Sequence, residues 1–69
     1  MPGTYKKIEI VGTSPVSFSE AVQAAVADAA KTVRHIAWFE VIEQRGRIKD
    51  DRVAEFQVTL RVGFQIERQ

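Results

Sequence analysis

The chain has 69 residues, 45% hydrophobic and 28% charged, with a formal net charge of +1 from 10 basic and 9 acidic side chains. So even a balance supplies no concentrated positive field for non-specific nucleic-acid binding, and no apolar run approaches the roughly 20 residues of a membrane span. With no cysteine and a single histidine, disulfides, thiolate metal sites and imidazole-rich metal sites are excluded too.

Residues 1–69 are read as one domain, since the length leaves no room for a second. A chain this short buries only about 60% of the surface its unfolded form exposes. Small chains compensate with disulfides, a metal or oligomerisation, and oligomerisation is the remedy left open here. The segment Met1-Pro2-Gly3-Thr4-Tyr5-Lys6-Lys7 carries no signal-peptide core, so a cytoplasmic protein is expected.

Tyr5 to Val11 alternates, with Ile8 and Ile10 on one side and Tyr5, Lys7 and Glu9 on the other, which predicts a first strand. Gly12-Thr13-Ser14-Pro15 is expected to end it with turn chemistry. Ser17 followed three residues later by Glu20 is the capping-box signature of a helix start. Neither Ser17 nor Ser19 has a base nearby in sequence that would make it a nucleophile. Phe18, Val22, Ala25, Val26, Ala29 and Val33 recur at spacings of three and four and define one helical face. The alanine-rich stretch from Ala21 to Ala30 makes a strong helix with a thin profile. Lys31 and Arg34 are expected in its last turns, where they suit the negative end of the helix dipole.

From Trp38 to about Arg47 the pattern is again that of a strand, and Gly46 through Asp51-Arg52 reads as a hairpin connection with the two aspartates at its tip. In the last strand Phe56, Val58, Leu60, Val62, Phe64 and Ile66 share one parity, and Glu55, Gln57, Thr59, Arg61, Gly63 and Gln65 the other. The expected fold is α+β: a β-α-β-β order forming a three-stranded antiparallel sheet with one helix packed on one face. Phe39 and Val41 are then expected under the helix, and the uncovered face carries Trp38, Glu40, Ile42, Gln57 and Thr59.

Trp38 is the only tryptophan, and its parity points it away from the only core this chain builds. Gln57 shares that face and is expected near it across the hairpin. An indole is a flat stacking surface, and a glutamine amide offers both a donor and an acceptor. The pair suits a planar ligand with hydrogen-bonding edges, such as a flavin or a nucleobase. The same indole equally suits a subunit interface, where tryptophan is enriched. Arg45, Arg47, Lys49 and Arg52 cluster around the hairpin with Asp50 and Asp51 between them. Strict alternation sets Arg45 and Arg47 opposite Trp38 unless a bulge, for which Gly46 is the candidate, re-aims them. His35 is expected to cap the helix or sit at a polar rim. No carboxylate dyad, orienting base or Gly-rich phosphate loop is present, so no catalytic or metal site is predicted and the chain reads as a binding protein rather than an enzyme.

Four segments together resemble the dodecins, a family of small flavin-binding proteins: Ile8-Glu9-Ile10-Val11-Gly12-Thr13-Ser14, the capped alanine-rich helix, Trp38-Phe39-Glu40-Val41, and Phe56 through Phe64. The resemblance covers essentially the whole chain. It implies a homododecamer that stores or sequesters riboflavin or FMN and protects it from light. Flavins are held in stacked pairs between symmetry-related tryptophans, a position matched here by Trp38, and Gln57 matches the glutamine that bonds the polar edge of the ring. Arg45 and Arg47 match the region that approaches the ribityl or phosphate portion. Gln65 occupies a position that is basic in some relatives, which leaves riboflavin and FMN both open. The resemblance also implies a coenzyme A contact at Lys6, Thr32 and Arg34, although Asp28 stands where relatives carry a basic residue. The alternative is a structural oligomerisation module in which Trp38 anchors an interface and no ligand binds.

Overall fold

A computed structural model describes residues 3–66. The expected domain 1–69 and the leader-free reading of Met1-Pro2 therefore reach outside the described residues. The elements are β1 (Tyr5–Ser14), α1 (Phe18–Ala29), β2 (Ile36–Lys49) and β3 (Arg52–Gln65), in the expected β-α-β-β order. The three strands form one antiparallel sheet in the order β1-β3-β2. The strand with the clearest alternation is thus the central one, paired on both edges.

Val58, Leu60 and Val62 of β3 are fully buried and pack against Ala21 and Ala25 of the helix. Ile8, Ile10, Phe18, Val22, Val26 and Ile36 close around them. The small helix residues allow a near approach, and Gly12 completes it. A Cβ at Gly12 would collide with the Ala21 carbonyl oxygen and lie 2.7 Å from the Ala25 Cβ. Gly12 therefore stays inside β1, which runs on to Ser14 rather than ending at a Gly12 turn. Buried Ser14 makes the turn instead: its Oγ accepts from the amides of Val16 at 2.9 Å and Ser17 at 3.4 Å. Ser17 caps the helix as expected, its Oγ accepting from the Glu20 amide at 3.0 Å.

The helix is shorter than its periodicity suggests. It stops at Ala29, and the amides of Lys31, Thr32 and Val33 close tight turns onto the carbonyls of Asp28 and Ala29. Lys31 and Arg34 lie beyond the last helical turn rather than in it, and Lys31 Nζ pairs with Asp28 Oδ1 at 3.2 Å. His35 adopts a left-handed conformation (φ 64°) that swings the chain into β2, and its carbonyl accepts from the Gln65 amide at 3.2 Å. At the other end, Asp50 (φ 54°) and Asp51 (φ 62°) are both left-handed, the signature of a two-residue type I′ hairpin turn. The turn is confined to those two residues; Gly46 to Lys49 belong to β2.

Helix α1 covers β1 and β3 but not the outer strand β2. Phe39 and Val41 do point to the helix side, opposite Val62 and Leu60, yet they remain 50% and 44% exposed. The expectation that they pack under the helix is therefore corrected: they lie beyond its reach. The β2–β3 hairpin also projects past the end of β1, which pairs only as far as Phe56. The shape that results measures 53 × 20 × 13 Å with a radius of gyration of 14.3 Å, against roughly 11 Å for a compact chain of this length. Its exposed surface is 5277 Å², against roughly 4400 Å² for a compact monomer of this mass.

Candidate functional site

The open face of the sheet is assembled in rows across the three strands. Lys7, Gly63 and Trp38 form one row, and Glu9, Arg61 and Glu40 the next. Further along come Val11, Thr59 and Glu43, then Thr13, Gln57 and Arg45, then Glu55 with Arg47. Paired residues share a face, so Trp38, Arg45, Arg47, Gln57 and Gln65 all belong to this face.

Two irregularities in β2 bring this about. Ile36 pairs with Phe64 and Trp38 with Gly63, which leaves Ala37 as an extra residue. The bulge carries Ile36 to the core side and Trp38 to the open side. Ile42 is the second extra residue, between Val41 opposite Leu60 and Glu43 opposite Thr59. It reverses the alternation, so Arg45 and Arg47 come round to the face of Trp38. A bulge was required for this, but it sits at Ile42 and not at Gly46, which pairs in register with Phe56. Ile42, expected on the open face by alternation, is instead the unpaired bulge residue. A third shift, at Ala54 on β3, turns Val53 to the helix side with Ile48.

Trp38 is held on three sides. Gly63 lies directly beneath it, and a Cβ there would run into Cζ2, Cε2 and Cη2 of the indole. The Tyr5 ring leans on it with centroids 5.3 Å apart at 59°. The indole Nε1 donates to Glu40 Oε2 at 3.1 Å. The Glu40 carboxylate also accepts from Lys7 Nζ at 3.2 and 3.3 Å. The indole hydrogen bond, then the Lys7 ammonium, holds the Glu40 pKa below its ordinary value of 4.5. In the same row Arg61 Nε donates to Glu9 Oε1 at 3.1 Å. Trp38 remains 38% exposed, its outer side unoccupied by this chain.

Gln57 is not beside Trp38. It lies opposite Arg45 and Thr13, six residues along β3 from Gly63, a separation of about 20 Å. The expected adjacency across the hairpin is thus corrected. The predicted residues fall into two clusters at opposite ends of the face. One holds Trp38, Tyr5, Glu40 and, two residues beyond Gly63, Gln65. The other holds Gln57, Arg45 and Arg47, in which Gln57 Nε2 donates to Glu55 Oε1 at 2.8 Å and Arg47 Nε lies 3.9 Å from the same oxygen. Sequence reasoning passed over Gly63 and Tyr5. Glycine at an otherwise large-residue strand position was the available signal.

Of the residues predicted for coenzyme A, Thr32 and Arg34 line one groove of about 410 Å³ with His35 and Phe64. Lys6 is on the neighbouring strand, opposite Phe64. A second groove of about 270 Å³, by the hairpin, is lined by Phe18, Arg45, Gly46, Ile48, Val53 and Phe56. Among the described residues no three acidic or histidine side chains come together as a metal site. Ser17 and Ser19 are engaged in a cap and in a bond from Gln23 Nε2. No helix among the described residues is long and apolar enough to cross a membrane.

A family model described as Dodecin matches residues 4–67. The chain belongs to the dodecin family. It is 54% identical over 67 residues to the dodecin of Thermus thermophilus, covering 97% of each chain. A crystal structure of the Thermus thermophilus protein superposes with a TM-score of 0.93 over 99% of this chain and 100% of that one, at 51% identity. The structure of dodecin from Streptomyces coelicolor gives a TM-score of 0.93 at 46% identity, over 97% of this chain and 96% of that one. A protein named calcium dodecin, from Mycobacterium tuberculosis, is 36% identical over 62 residues, 90% of this chain and 87% of its own length. Dodecins are small oligomeric binding proteins, and calcium stands in the name of one of these relatives.

Proposed function

We propose that this dodecin is a cytoplasmic flavin-binding protein that stores riboflavin or FMN and quenches its photochemistry, with the ligand stacked on Trp38 in a homododecamer. The observation that carries the reading is the state of the indole: fixed by Gly63, Tyr5 and Glu40, with its outer side open. A flat, immobilised, electron-rich ring is a stacking platform for a planar ligand.

The two-cluster geometry adds a requirement. Trp38 and Gln57 are too far apart in one chain for a single ring system to reach both. Two copies paired about a two-fold axis, with the Trp38 end of one over the Gln57 end of the other, would create two identical composite sites. In each, one subunit supplies the stacking surface and the other the amide and the Arg45 and Arg47 guanidiniums. The exposed apolar residues of β2 fit the same picture, since Phe39, Val41 and Ile48 gain cover only from neighbours. Gln65, uncharged and on the Trp38 side, adds no charge for a phosphate, so Arg45 and Arg47 are the cations that would receive one in FMN. Thr32 and Arg34, with Lys6 nearby, form a separate groove that is the place to look for coenzyme A. Calcium, named for the Mycobacterium tuberculosis relative, finds no acidic cluster among the described residues.

The absorbance spectrum of the protein as purified, with released ligand identified by chromatography, tests this reading. A yellow protein releasing riboflavin or FMN supports it. A colourless protein that takes up neither flavin refutes it. A colourless, non-binding protein whose assembly also collapses in Trp38→Ala would return the interface-anchor alternative.

A further inference from the structure

We propose that Glu40 is a positioning residue for the ligand-stacking indole, acting as an anionic latch that fixes the plane of Trp38 before any ligand arrives. The inference rests on the reading of Trp38 as a stacking platform and assigns a role to a side chain two residues away that itself needs no contact with ligand.

Three observations place it there. Glu40 shares the open face with Trp38, and its Oε2 accepts the indole Nε1–H at 3.1 Å. A hydrogen bond to a carboxylate is roughly twice as strong as one between neutral groups. The carboxylate is itself restrained from β1, where Lys7 Nζ bonds both of its oxygens. Arg61 of β3 lies in the same row as Glu40 and is paired with Glu9. The charged groups facing the latch are therefore Arg61 of β3, beside it, and Lys7 and Glu9 of β1, beyond β3. Finally, Gly63 and Tyr5 bound the ring on other sides, leaving the Nε1 edge as the remaining degree of freedom. Removing the latch would let the ring rotate over Gly63.

A stacking side chain that is ordered in advance spares the ligand the entropy of ordering it. Loss of one such restraint corresponds to about a three- to ten-fold rise in Kd. Glu40 is only partly buried, so its replacement leaves the core untouched.

The experiment compares wild type, Glu40→Ala and Glu40→Gln by two readouts: near-UV circular dichroism of the ligand-free protein, which reports this single tryptophan, and riboflavin titration. Glu40→Ala is expected to flatten the indole band and weaken riboflavin binding about three- to ten-fold at unchanged assembly size. Glu40→Gln, whose neutral amide oxygen accepts from Nε1 without the carboxylate's charge, is expected to fall between wild type and Glu40→Ala in both. Lys7→Met, which frees the carboxylate but leaves the indole bond, gives a smaller change in the same direction and serves if Glu40→Ala fails to assemble. A wild-type band and wild-type Kd in Glu40→Ala would overturn the proposal. If wild type binds no flavin, the stacking function falls separately. The dichroism then decides alone: a flattened band in Glu40→Ala upholds the latch and an unchanged one overturns it.

Discussion

Replacing Gly63 with alanine should destabilise the protein only while Trp38 is present. Gly63 does not have a positive φ, so its backbone accepts alanine without strain. In a strand that change alone should stabilise by about 0.4–1 kcal/mol, through the unfolded state. The added methyl, however, would occupy space already filled by three atoms of the indole. Either the ring is displaced, losing its bond to Glu40, or the β2–β3 pairing opens around it. Overpacking of this kind costs about 1–3 kcal/mol. The net loss in the wild-type background is then about 1–2 kcal/mol, a fall in Tm on the order of 5–15 °C for a domain this small. In a Trp38→Ala background the sign should reverse. The coupling between the two sites is expected at about 1.5–3 kcal/mol, the upper part of the range for residues in contact. Thermal and urea unfolding of the four proteins at one protomer concentration measures it, since oligomerisation makes stability concentration-dependent. A Gly63→Ala protein as stable as wild type, or a coupling near zero, would refute the seating of the indole on β3.

Other outcomes follow from the same structure. Gly12→Ala places a methyl 2.7 Å from the Ala25 Cβ, where ordinary contact is about 3.5–4.0 Å, so the helix must rise by about 1 Å; a loss of about 1–3 kcal/mol in urea unfolding is expected. Asp51→Gly relieves a left-handed aspartate in the hairpin turn and should raise Tm by about 2–4 °C, read by calorimetry. The pKa of Glu40 is lowered by the Trp38 hydrogen bond and by Lys7, so its contribution is fully present above the ordinary carboxylate range and is lost as pH falls through the lowered value. The tryptophan dichroism of the ligand-free protein should therefore hold from neutral pH to about pH 5 and fade only in stronger acid. In Lys7→Met the fading should begin at higher pH, as an acid titration of the band would show.

Much of this molecule was legible in the chain because its information is local. The six-fold alternation from Phe56 to Ile66 marked the central strand, and Ser17 with Glu20 marked the helix start, each through contacts within a few residues. Trp38 could be placed away from the core for the same reason. What stayed hidden depends on partners distant in sequence. The bulges at Ala37, Ile42 and Ala54 exist only as mismatches between two strands, and nothing in Ile42 itself announces that Arg45 and Arg47 will turn to the face of Trp38. Gly12 looked like a turn residue because glycine usually punctuates; its reason for staying in the strand is the Ala21 backbone overhead. The helix ended early because the Lys31 and Thr32 amides turn back onto Asp28 and Ala29, three residues away, which periodicity does not register. Gln57 was assigned to the right face and the wrong row, since register cannot be read from parity. That error is informative: the two clusters it separates are the reason the proposed site calls on a second subunit.

The proposed function stands on Trp38 as the stacking surface for a flavin. Titration of riboflavin with the ligand-free protein, followed by flavin fluorescence, tests it most directly. Emission is expected to fall steeply with wild type and to persist with Trp38→Ala at equal protein concentration and equal assembly size. Undiminished emission with wild type, or the same quenching by an intact Trp38→Ala assembly, would contradict it.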